Sequence, residues 1–344
     1  MRIGIEANEV MHGERAIRRY TVSLIQALAR IKSDHEFRLL YFRFQKPKYE
    51  ALTFSESGSR MNSSVVPLPG GVMFKLWERV PFPPVSWFLG PLDLFHAPGM
   101  FLPPSGTKPL VVTIHGMHPW RIGGEMDPEY RAWYELWMKR CLKRADCFIT
   151  VSETMKQDMV QFLSVPPEKI RAIPLGVNDS FRSSNREKVP ERLKKRFGLE
   201  RPYILYVGGI QRHKNVRRIL EAFAHVKKKY GGELSLVLVG DQPIGSEAIL
   251  ASIPKLGLLG DVIMPGYLEQ ESGDLELLYA GAKLFVFPTL WEGWSSPPLE
   301  AMASGVPVVA SNIGPHQENL GDAAVLVNPA SVEDLARAVG QFLE

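Results

Sequence analysis

Short apolar runs alternate with helical patterns along the whole chain, and this alternation limits the fold more than any other feature. The runs are rich in Val, Ile, Leu and Phe, as is typical of strands buried on both faces. In the first half they predict strands at Arg2–Glu6, Phe37–Phe44, Ser64–Leu68, Leu92–His96, Leu110–His115, Cys147–Val151 and Ile170–Pro174. In the second half they predict strands at Tyr203–Val207, Ser235–Val239, Val262–Met264, Leu284–Phe287, Pro307–Ala310 and Ala324–Val327.

The segments between these strands carry apolar residues at helical spacing. Tyr20, Leu24, Ala27, Leu28 and Ile31 mark one face of a first helix. Further helices are predicted at Glu129–Arg144, Glu153–Leu163, Asn215–Tyr230, Leu275–Ala282, Pro297–Ser304 and Val332–Phe342. In the helix over 215–230 the apolar set is Val216, Ile219, Leu220, Phe223 and Val226. This order of strands and helices predicts parallel sheets with helices on both sides.

A polar, charged stretch, Asn178–Gly198, separates the two series of strands. We interpret it as a linker with a short amphipathic helix. The sequence therefore predicts an α/β protein of two doubly wound, Rossmann-like domains, 1–178 and 179–344, which face each other across a cleft. In such domains ligands bind beyond the carboxyl ends of the strands.

Composition excludes several classes of protein. With 45% apolar and 23% charged residues, the chain is neither disordered, nor collagenous, nor a polytopic membrane protein. Its two cysteines, Cys141 and Cys147, exclude a disulfide framework and a four-cysteine zinc site. No apolar h-region follows Met1 and no run of about 18 uncharged apolar residues occurs, so we expect a cytoplasmic protein. A net charge of +4 is too small to indicate a nucleic-acid partner.

The segment Val72–Phe95 is rich in aromatic residues and prolines, with charged residues among them. It fits either contact with a membrane surface or a helix and loop packed on a sheet. The first half also carries about five more basic than acidic residues. This excess fits an anionic partner, such as a phosphorylated lipid or glycan, as well as it fits an ordinary solvated surface.

The most informative segment runs from Phe287 to Ser311. A buried strand is expected to end at Pro288 and a loop containing glycine follows. Ser296 is the expected N-cap of the next helix, with Pro297 at the first helical position. Gly305 is the expected C′ residue that ends this helix.

Two carboxylates flank the start of this helix: Glu292 in the loop and Glu300 in the helix. The backbone N–H groups of Ser295, Ser296 and Leu299, together with the helix dipole, predict an anion site. A phosphate on these amides and hydroxyl groups on the carboxylates would suit a sugar joined to a nucleoside diphosphate. Alternatively, the helix dipole alone favours a glutamate near a helix N-terminus.

The string around these acids resembles the Glu-x7-Glu signature of the retaining family 4 glycosyltransferases, which have the GT-B fold. Similarity to that family extends over nearly the whole chain, and its motifs are more specific in the second half. The other matching strings are Arg2–Ala7, Asp93-Leu94-Phe95-His96, Val112-Thr113-Ile114-His115, Ala145-Asp146, Val151-Ser152-Glu153, Lys169–Val177 and Tyr206–Ile210 with Lys214-Asn215.

The resemblance implies roles for residues of the second domain. Glu300 would bind the ribose hydroxyls of the donor, and Glu292 would hold the transferred sugar near its reacting carbon. Arg212 and Lys214 would clamp the diphosphate, after a turn that contains Gly209. Fixed cations there would stabilise the negative charge that develops on the leaving diphosphate. Taken alone, the basic turn also fits a solvated surface.

Two further residues have roles that the family implies. His115 would lie by the transferred sugar as a second catalytic residue, although a histidine at a strand end is often structural. Tyr267 would meet the nucleobase, or be an ordinary aromatic residue of a loop.

The acceptor side departs from the family pattern. Gly13 and Arg18 are assigned to this side, yet Ala16 and Arg18 stand where the family has glycines. Either Arg18 binds an anionic acceptor or the loop follows a different path. Gly116 follows His115 where the family commonly has Asp, and Ser295-Ser296 replaces Gly-Leu.

These features predict a retaining glycosyltransferase that moves a hexose from a sugar nucleotide to a glycan or lipid-linked acceptor. The opening Gly-Ile-Glu-Ala resembles bacterial mannosyltransferases of surface polysaccharide synthesis, which favours mannose from GDP-mannose. The sequence has no Asp-x-Asp pair, so we expect no metal and no cofactor, with Arg212 and Lys214 in the metal's place. Peripheral contact with the inner face of the cell membrane is left open. The alternatives are a sugar-nucleotide epimerase and a non-catalytic subunit that binds nucleotide sugars.

Overall fold

The computed structural model describes residues 1–12, 15–43, 50, 52, 60–99, 101–182, 186–230, 233–243, 245–269 and 272–343. The chain separates into two compact units. Unit 1 comprises residues 1–115, 128–151 and 155–173, and unit 2 comprises residues 174–344 with 116–127 and 152–154. Two short segments of the first half therefore pack within unit 2, which the sequence did not indicate.

Unit 1 contains a parallel sheet of seven strands in the order β3-β2-β1-β4-β5-β6-β7. Their bounds are β1 Arg2–Glu6, β2 Glu36–Arg43, β3 Met61–Pro69, β4 Leu94–Ala97, β5 Leu110–Ile114, β6 Cys147–Thr150 and β7 Ile170–Ala172. The predicted strands of the first half are confirmed. The order reverses between β1 and β4, and doubly wound sheets bind ligands beyond the carboxyl ends of the strands at such a switch point.

Unit 2 contains a parallel sheet of six strands in the order β10-β9-β8-β11-β12-β13. Their bounds are β8 Tyr203–Val207, β9 Ser235–Val239, β10 Val262–Gly266, β11 Leu284–Phe287, β12 Val308–Ser311 and β13 Val325–Val327. The predicted strands of this half are confirmed as well. Its switch point lies between β8 and β11, which pair through Leu284 with Ile204 and Phe285 with Leu205.

Helices connect the parallel strands, as the alternation predicted. Up to residue 173 they are α1 Asn8–His12, α2 Arg15–Arg30, α3 Gly70–Arg79, α4 Ser86–Leu89, α5 His118–Ile122, α6 Pro128–Arg144 and α7 Glu153–Leu163. Beyond it they are α8 Val189–Phe197, α9 Val216–Tyr230, α10 Glu247–Leu250, α11 Ser252–Lys255, α12 Asp274–Gly281, α13 Ser296–Ala303, α14 Gly314–Asn319 and α15 Val332–Gly340. None of the helices in these ranges combines the length and the apolar composition that a membrane span requires.

The apolar face of α9 is confirmed, because all five predicted side chains are buried in the core of unit 2. The predicted face of α2 is confirmed only in part, because Tyr20, Leu24 and Leu28 are half-buried whereas Ala27 is exposed. Its fully buried residues are Thr21 and Ile25, whereas Ile31 follows the end of the helix and is exposed. The hydroxyl of Thr21 donates to the carbonyl of Ile17, so this polar residue can occupy a core position.

Candidate functional site

The loops that follow β8 and β11 carry residues predicted to bind the sugar-nucleotide donor. Because β8 and β11 are neighbours at the switch point of unit 2, their carboxyl ends lie side by side. After β8 the chain forms a 3₁₀ turn at Arg212–Lys214, and after β11 it forms the loop that contains Glu292. The fold therefore brings together residues that lie about 80 positions apart in the sequence.

Lys214 and Glu292 form an ion pair in which Nζ lies 2.6 Å from Oε1. Their side chains are 19% and 9% exposed, so the pair is largely shielded from water. Burial raises the pKa of Glu292, but the charge and the hydrogen bond of Lys214 outweigh burial and hold that pKa below its ordinary value. Glu292 is thus a carboxylate at neutral pH. The sequence assigned these residues to different parts of a donor and did not predict that they touch.

The backbone around this pair is fixed by hydrogen bonds between the two loops. The carbonyl of His213 accepts from the N–H of Leu290 at 2.8 Å and from Oγ1 of Thr289 at 3.1 Å. Asn215, with a positive φ of 63°, donates from Nδ2 to the carbonyl of Pro288 at 2.8 Å. These contacts hold Lys214 and Glu292 at a fixed separation.

Three rings lie beside the ion pair. The His118 ring packs edge-on against Trp291 at 4.7 Å and against His213 at 5.9 Å between centroids. Burial lowers the pKa of His118 to about 4. The charge of Glu292 raises this pKa and the charge of Lys214 lowers it, both by smaller amounts. Burial also lowers the pKa of His213 to about 4, and the charge of Lys214 adds to this effect. Both imidazoles are therefore neutral at pH 7.

His118 is a site residue that the sequence missed, although it lies in a loop that follows a predicted strand. Its position explains the glycine at 116. A Cβ at Gly116 would lie 2.4 Å from Nδ1 of His118, which is closer than real contacts allow. Gly116 therefore leaves the space that the His118 ring occupies.

Arg212 is more open than Lys214. Its side chain is 76% exposed, and Nε lies 3.2 Å from Oε2 of Glu125. An exposed ion pair of this kind contributes little to stability. Its guanidinium is accordingly free to change partners at little energetic cost.

Helix α13 begins one residue earlier than predicted, at Ser296, and its N-cap is Ser295 instead of Ser296. The hydroxyl of Ser295 makes no capping hydrogen bond; it lies 2.7 Å from Nε2 of His316. Nδ1 of His316 lies 2.9 Å from the carbonyl of Ser311. Since a carbonyl only accepts, Nδ1 carries the proton and Nε2 accepts from Ser295. Gly305 follows the helix with φ of 71°, which confirms the predicted C′ residue.

The other residues predicted to bind the sugar-nucleotide donor lie in α13 and in the neighbouring loops. Glu300 is fully buried within α13, and Leu299 packs against the core of unit 2. Positions 297 and 298 are prolines, so Ser296 supplies the only N–H of the first three helical positions. Tyr267 follows β10 and is 38% exposed. The carbonyl of Gly209 accepts from the hydroxyl of Tyr206 at 3.0 Å.

The predicted residues of the first half belong to unit 1. His115 follows β5, with Nε2 at 2.7 Å from the carbonyl of Pro98 and its ring edge-on to Tyr20 at 4.6 Å. Burial lowers the pKa of His115, although the hydrogen bond to Pro98 opposes this effect. Nε of Arg18 donates to the carbonyl of Val10 at 3.1 Å. Gly13 lies outside the described residues.

Glu6 occupies the switch point of unit 1, and the sequence did not single it out. It ends β1, is fully buried, and accepts the N–H of Asn8 on Oε1 at 2.7 Å. Burial, reinforced by the charge of Glu9, raises the pKa of Glu6 to about 8. Glu6 could have been predicted from its position, because it ends the strand next to the expected reversal of strand order.

The described ranges contain no group of three or more His, Cys, Asp or Glu side chains placed to hold a metal ion. Around the switch point of unit 2 the structure places two buried acids, two cations and neutral imidazoles. Such a set binds hydroxyl groups and phosphates.

Two family models match the two halves of the chain. Residues 17–181 match Glycosyltransferase Family 4, and residues 188–344 match Glycosyl transferases group 1. The chain belongs to the glycosyltransferases. The predicted family is thus confirmed, and transferase activity follows from it.

Relatives of this glycosyltransferase include mannosyltransferases. It is 25% identical to the O-antigen chain mannosyltransferase B of Escherichia coli over all of its own length and 91% of that protein. It is 30% identical to the MMP alpha-(1->4)-mannosyltransferase of Mycolicibacterium hassiacum over 69% of its own length and 57% of that protein.

Among solved structures, the sucrose-phosphate synthase of Thermosynechococcus elongatus superposes with a TM-score of 0.75 at 21% identity. The match covers all of this chain and 90% of that one. This similarity concerns the fold, and it confirms two Rossmann-like units of the GT-B type.

Proposed function

We propose that this protein is a retaining mannosyltransferase that uses GDP-mannose and acts in the synthesis of a bacterial surface polysaccharide. The acceptor is a glycan or a lipid-linked sugar, and the protein works in the cytoplasm at the inner face of the cell membrane. No metal ion takes part in the reaction.

The observation that carries this proposal is the contact between Lys214 and Glu292 at the switch point of unit 2. An ammonium group has three donors, so the bond to Glu292 leaves donors for a phosphate. A diphosphate on Lys214 would therefore place its sugar beside the Glu292 carboxylate. Arg212, exposed on the same turn, adds a second cation for the diphosphate.

These residues suit the bond changes of glycosyl transfer. The acceptor oxygen bonds to the anomeric carbon, the bond from that carbon to the diphosphate breaks, and the hydroxyl proton passes to the departing phosphate oxygen. Negative charge grows on the diphosphate, and Lys214 and Arg212 stabilise it more in the transition state than in the ground state. We assign Glu292 to the hydroxyls of the sugar and not to a covalent intermediate.

The choice of sugar and linkage draws on the relatives. Two of them are named mannosyltransferases, one for O-antigen chains and one for an alpha-(1->4) linkage. These names support mannose as the transferred sugar and an α-linked product. With an α-linked sugar nucleotide as donor, an α-linked product corresponds to retention.

Calorimetry of the full chain with GDP-mannose, UDP-glucose and ADP-glucose tests the donor. We expect GDP-mannose to bind at least tenfold more tightly than the others, which corresponds to about 1.4 kcal/mol. The Glu300→Gln variant should weaken binding at least tenfold, whereas Glu333→Gln, at an exposed acid of the same unit, should not. Equal binding by Glu300→Gln and the parent protein would contradict the role of Glu300.

NMR spectra of the reaction separate the remaining possibilities. With a glycan extract as acceptor, an α-linked mannoside that still forms after dialysis against EDTA supports retention without a metal. An epimer that forms without acceptor would indicate a sugar-nucleotide epimerase. Binding without turnover, with any acceptor fraction, would indicate a non-catalytic subunit.

A further inference from the structure

Unit 1 exposes a group of large apolar side chains along α3 and the segment that leads to α4. We call Val72, Leu76, Val80, Phe82 and Trp87 the α3–α4 patch. Each is at least 40% exposed, and Trp87 reaches 67%. Single exposed apolar residues are ordinary, but a group of this size marks a surface that binds something.

The fold holds the α3–α4 patch in a fixed shape. Met73 and Trp77 anchor α3 from its buried face, so Val72 and Leu76 point away from the core. Nε1 of Trp77 donates to the carbonyl of Pro83 at 3.0 Å, which fixes the segment that carries Phe82. The Phe82 ring in turn packs edge-on against Trp87 at 4.8 Å. The patch is therefore a formed platform of side chains.

Helix α6 extends this surface. Nη1 of Arg140 lies 2.8 Å from Oε1 of Glu78, which ties α6 to α3. Trp133 and Leu136 precede Arg140 by seven and four residues, so they share its face of α6, and both are exposed. The apolar surface thus continues across the ion pair.

The charges around this surface are mainly positive. Within the described residues, no ion pair involves Lys75 or Arg79 of α3, or Lys139 or Lys143 of α6. The acids of these two helices include Glu78, paired with Arg140, and Glu135, paired with Arg131. Exposed aromatic rings among cations match the boundary of an anionic lipid bilayer, where the rings enter the headgroup layer and the cations meet lipid phosphates.

We propose that the α3–α4 patch and the exposed face of α6 dock unit 1 on an anionic lipid bilayer. This inference deepens the proposed location at the cell membrane and does not depend on the donor chemistry of unit 2. Trp87 and Phe82 enter the headgroup layer, and Lys75, Arg79, Lys139 and Lys143 face the lipid phosphates.

Flotation with lipid vesicles tests the inference on the full chain without any sugar nucleotide. We expect binding to vesicles of phosphatidylcholine with about one third phosphatidylglycerol, at least tenfold weaker binding to phosphatidylcholine alone, and release by salt. Phe82→Ser with Trp87→Ser should weaken binding at least tenfold, and so should Lys75→Glu with Arg79→Glu. Leu259→Ser is the matched control, because Leu259 of unit 2 is 73% exposed.

The outcomes are decisive in both directions. A parent protein that floats with neither kind of vesicle overturns the inference and points to a protein partner for this surface. Equal loss in the Leu259→Ser control, or equal binding to neutral vesicles, overturns it too. In the Trp87→Phe variant, binding should persist while quenching of tryptophan fluorescence by brominated lipid falls, which shows that Trp87 itself enters the bilayer. Donor calorimetry in solution reports on the proposed function separately.

Discussion

Lys214 Nζ and Glu292 Oε1 lie 2.6 Å apart, and they join the loops that follow two neighbouring strands, β8 and β11. The ammonium of Lys214 keeps the Glu292 carboxyl ionised, because burial without it would raise the pKa of that carboxyl. A cation for phosphate and a carboxylate for sugar hydroxyls are thus held adjacent by the same contact.

Lys214→Met should therefore affect stability and catalysis together. The substitution leaves a buried carboxylate without its partner, so we expect a loss of about 3 kcal/mol in the free energy of unfolding. We also expect kcat/KM for the donor to fall about 10- to 100-fold. Urea denaturation and initial rates measure the two effects.

Two variants separate these effects. Adding Glu292→Gln to Lys214→Met should restore part of the stability but none of the activity. Lys227→Met breaks another shielded ion pair of unit 2, with Asp261, so it should lower stability without changing donor kcat/KM. If Lys227→Met lowered kcat/KM as much as Lys214→Met, the assignment of Lys214 to the diphosphate would be wrong.

Arg212→Ala should reduce catalysis without reducing stability. The Arg212 side chain is 76% exposed, so folding does not depend on it, whereas a charge-assisted bond to phosphate is worth about 1.5–3 kcal/mol. We expect kcat/KM for the donor to fall at least tenfold with an unchanged urea midpoint. Arg217→Ala is the matched control, since Arg217 is 73% exposed and also paired with a glutamate. Parallel losses in both variants would contradict a specific role for Arg212.

The fold could be predicted from the sequence because the buried strands and amphipathic helices of doubly wound sheets have recognisable patterns within short segments. The strand Ser235–Val239 is buried along its length and is apolar after its first residue, and the apolar spacing of α9 marks its buried face. At α2 the apolar spacing did not include Thr21, because the hydroxyl of Thr21 donates to the carbonyl of Ile17 in the same helix and this bond lets a polar side chain occupy a core position.

The site could be predicted only in part. Glu292 and Glu300 share one motif, so local pattern finds them. The contact of Glu292 with Lys214 joins residues 78 positions apart, and no local pattern reports such a distance. His118 was not predicted for the same reason, because it packs against Trp291 and His213, which lie far from it in the sequence.

Ser295→Ala should loosen the loop that carries Glu292. Loss of the hydroxyl leaves Nε2 of the buried His316 without a donor, and an unsatisfied buried group costs about 1–3 kcal/mol. We expect that loss in the free energy of unfolding and a lower kcat. Ser296→Ala, at the next and less buried serine, should change both values little. An unchanged urea midpoint in Ser295→Ala would show that the bond to His316 is dispensable.

The raised pKa of Glu6 should make the protein less stable as the pH rises from about 4.5 to about 8. Its pKa is raised from 4.5 to about 8 in the folded protein, so the unfolded chain loses this proton first. The free energy of unfolding should then fall by up to about 1.4 kcal/mol per pH unit until the folded form ionises near pH 8. The buried histidines act in the opposite direction, because a lowered pKa makes stability rise with pH up to their ordinary value of 6.5. Between pH 6.5 and 8 the pH dependence of stability therefore reflects Glu6 and not these histidines.

Urea denaturation across this pH range should show that the free energy of unfolding of the parent protein declines with pH. Glu6→Gln should remove this decline. Glu129→Gln, at an exposed acid of unit 1, should leave it in place. A decline of equal slope in Glu6→Gln would assign the pH dependence to another group and leave Glu6 ionised in the folded protein.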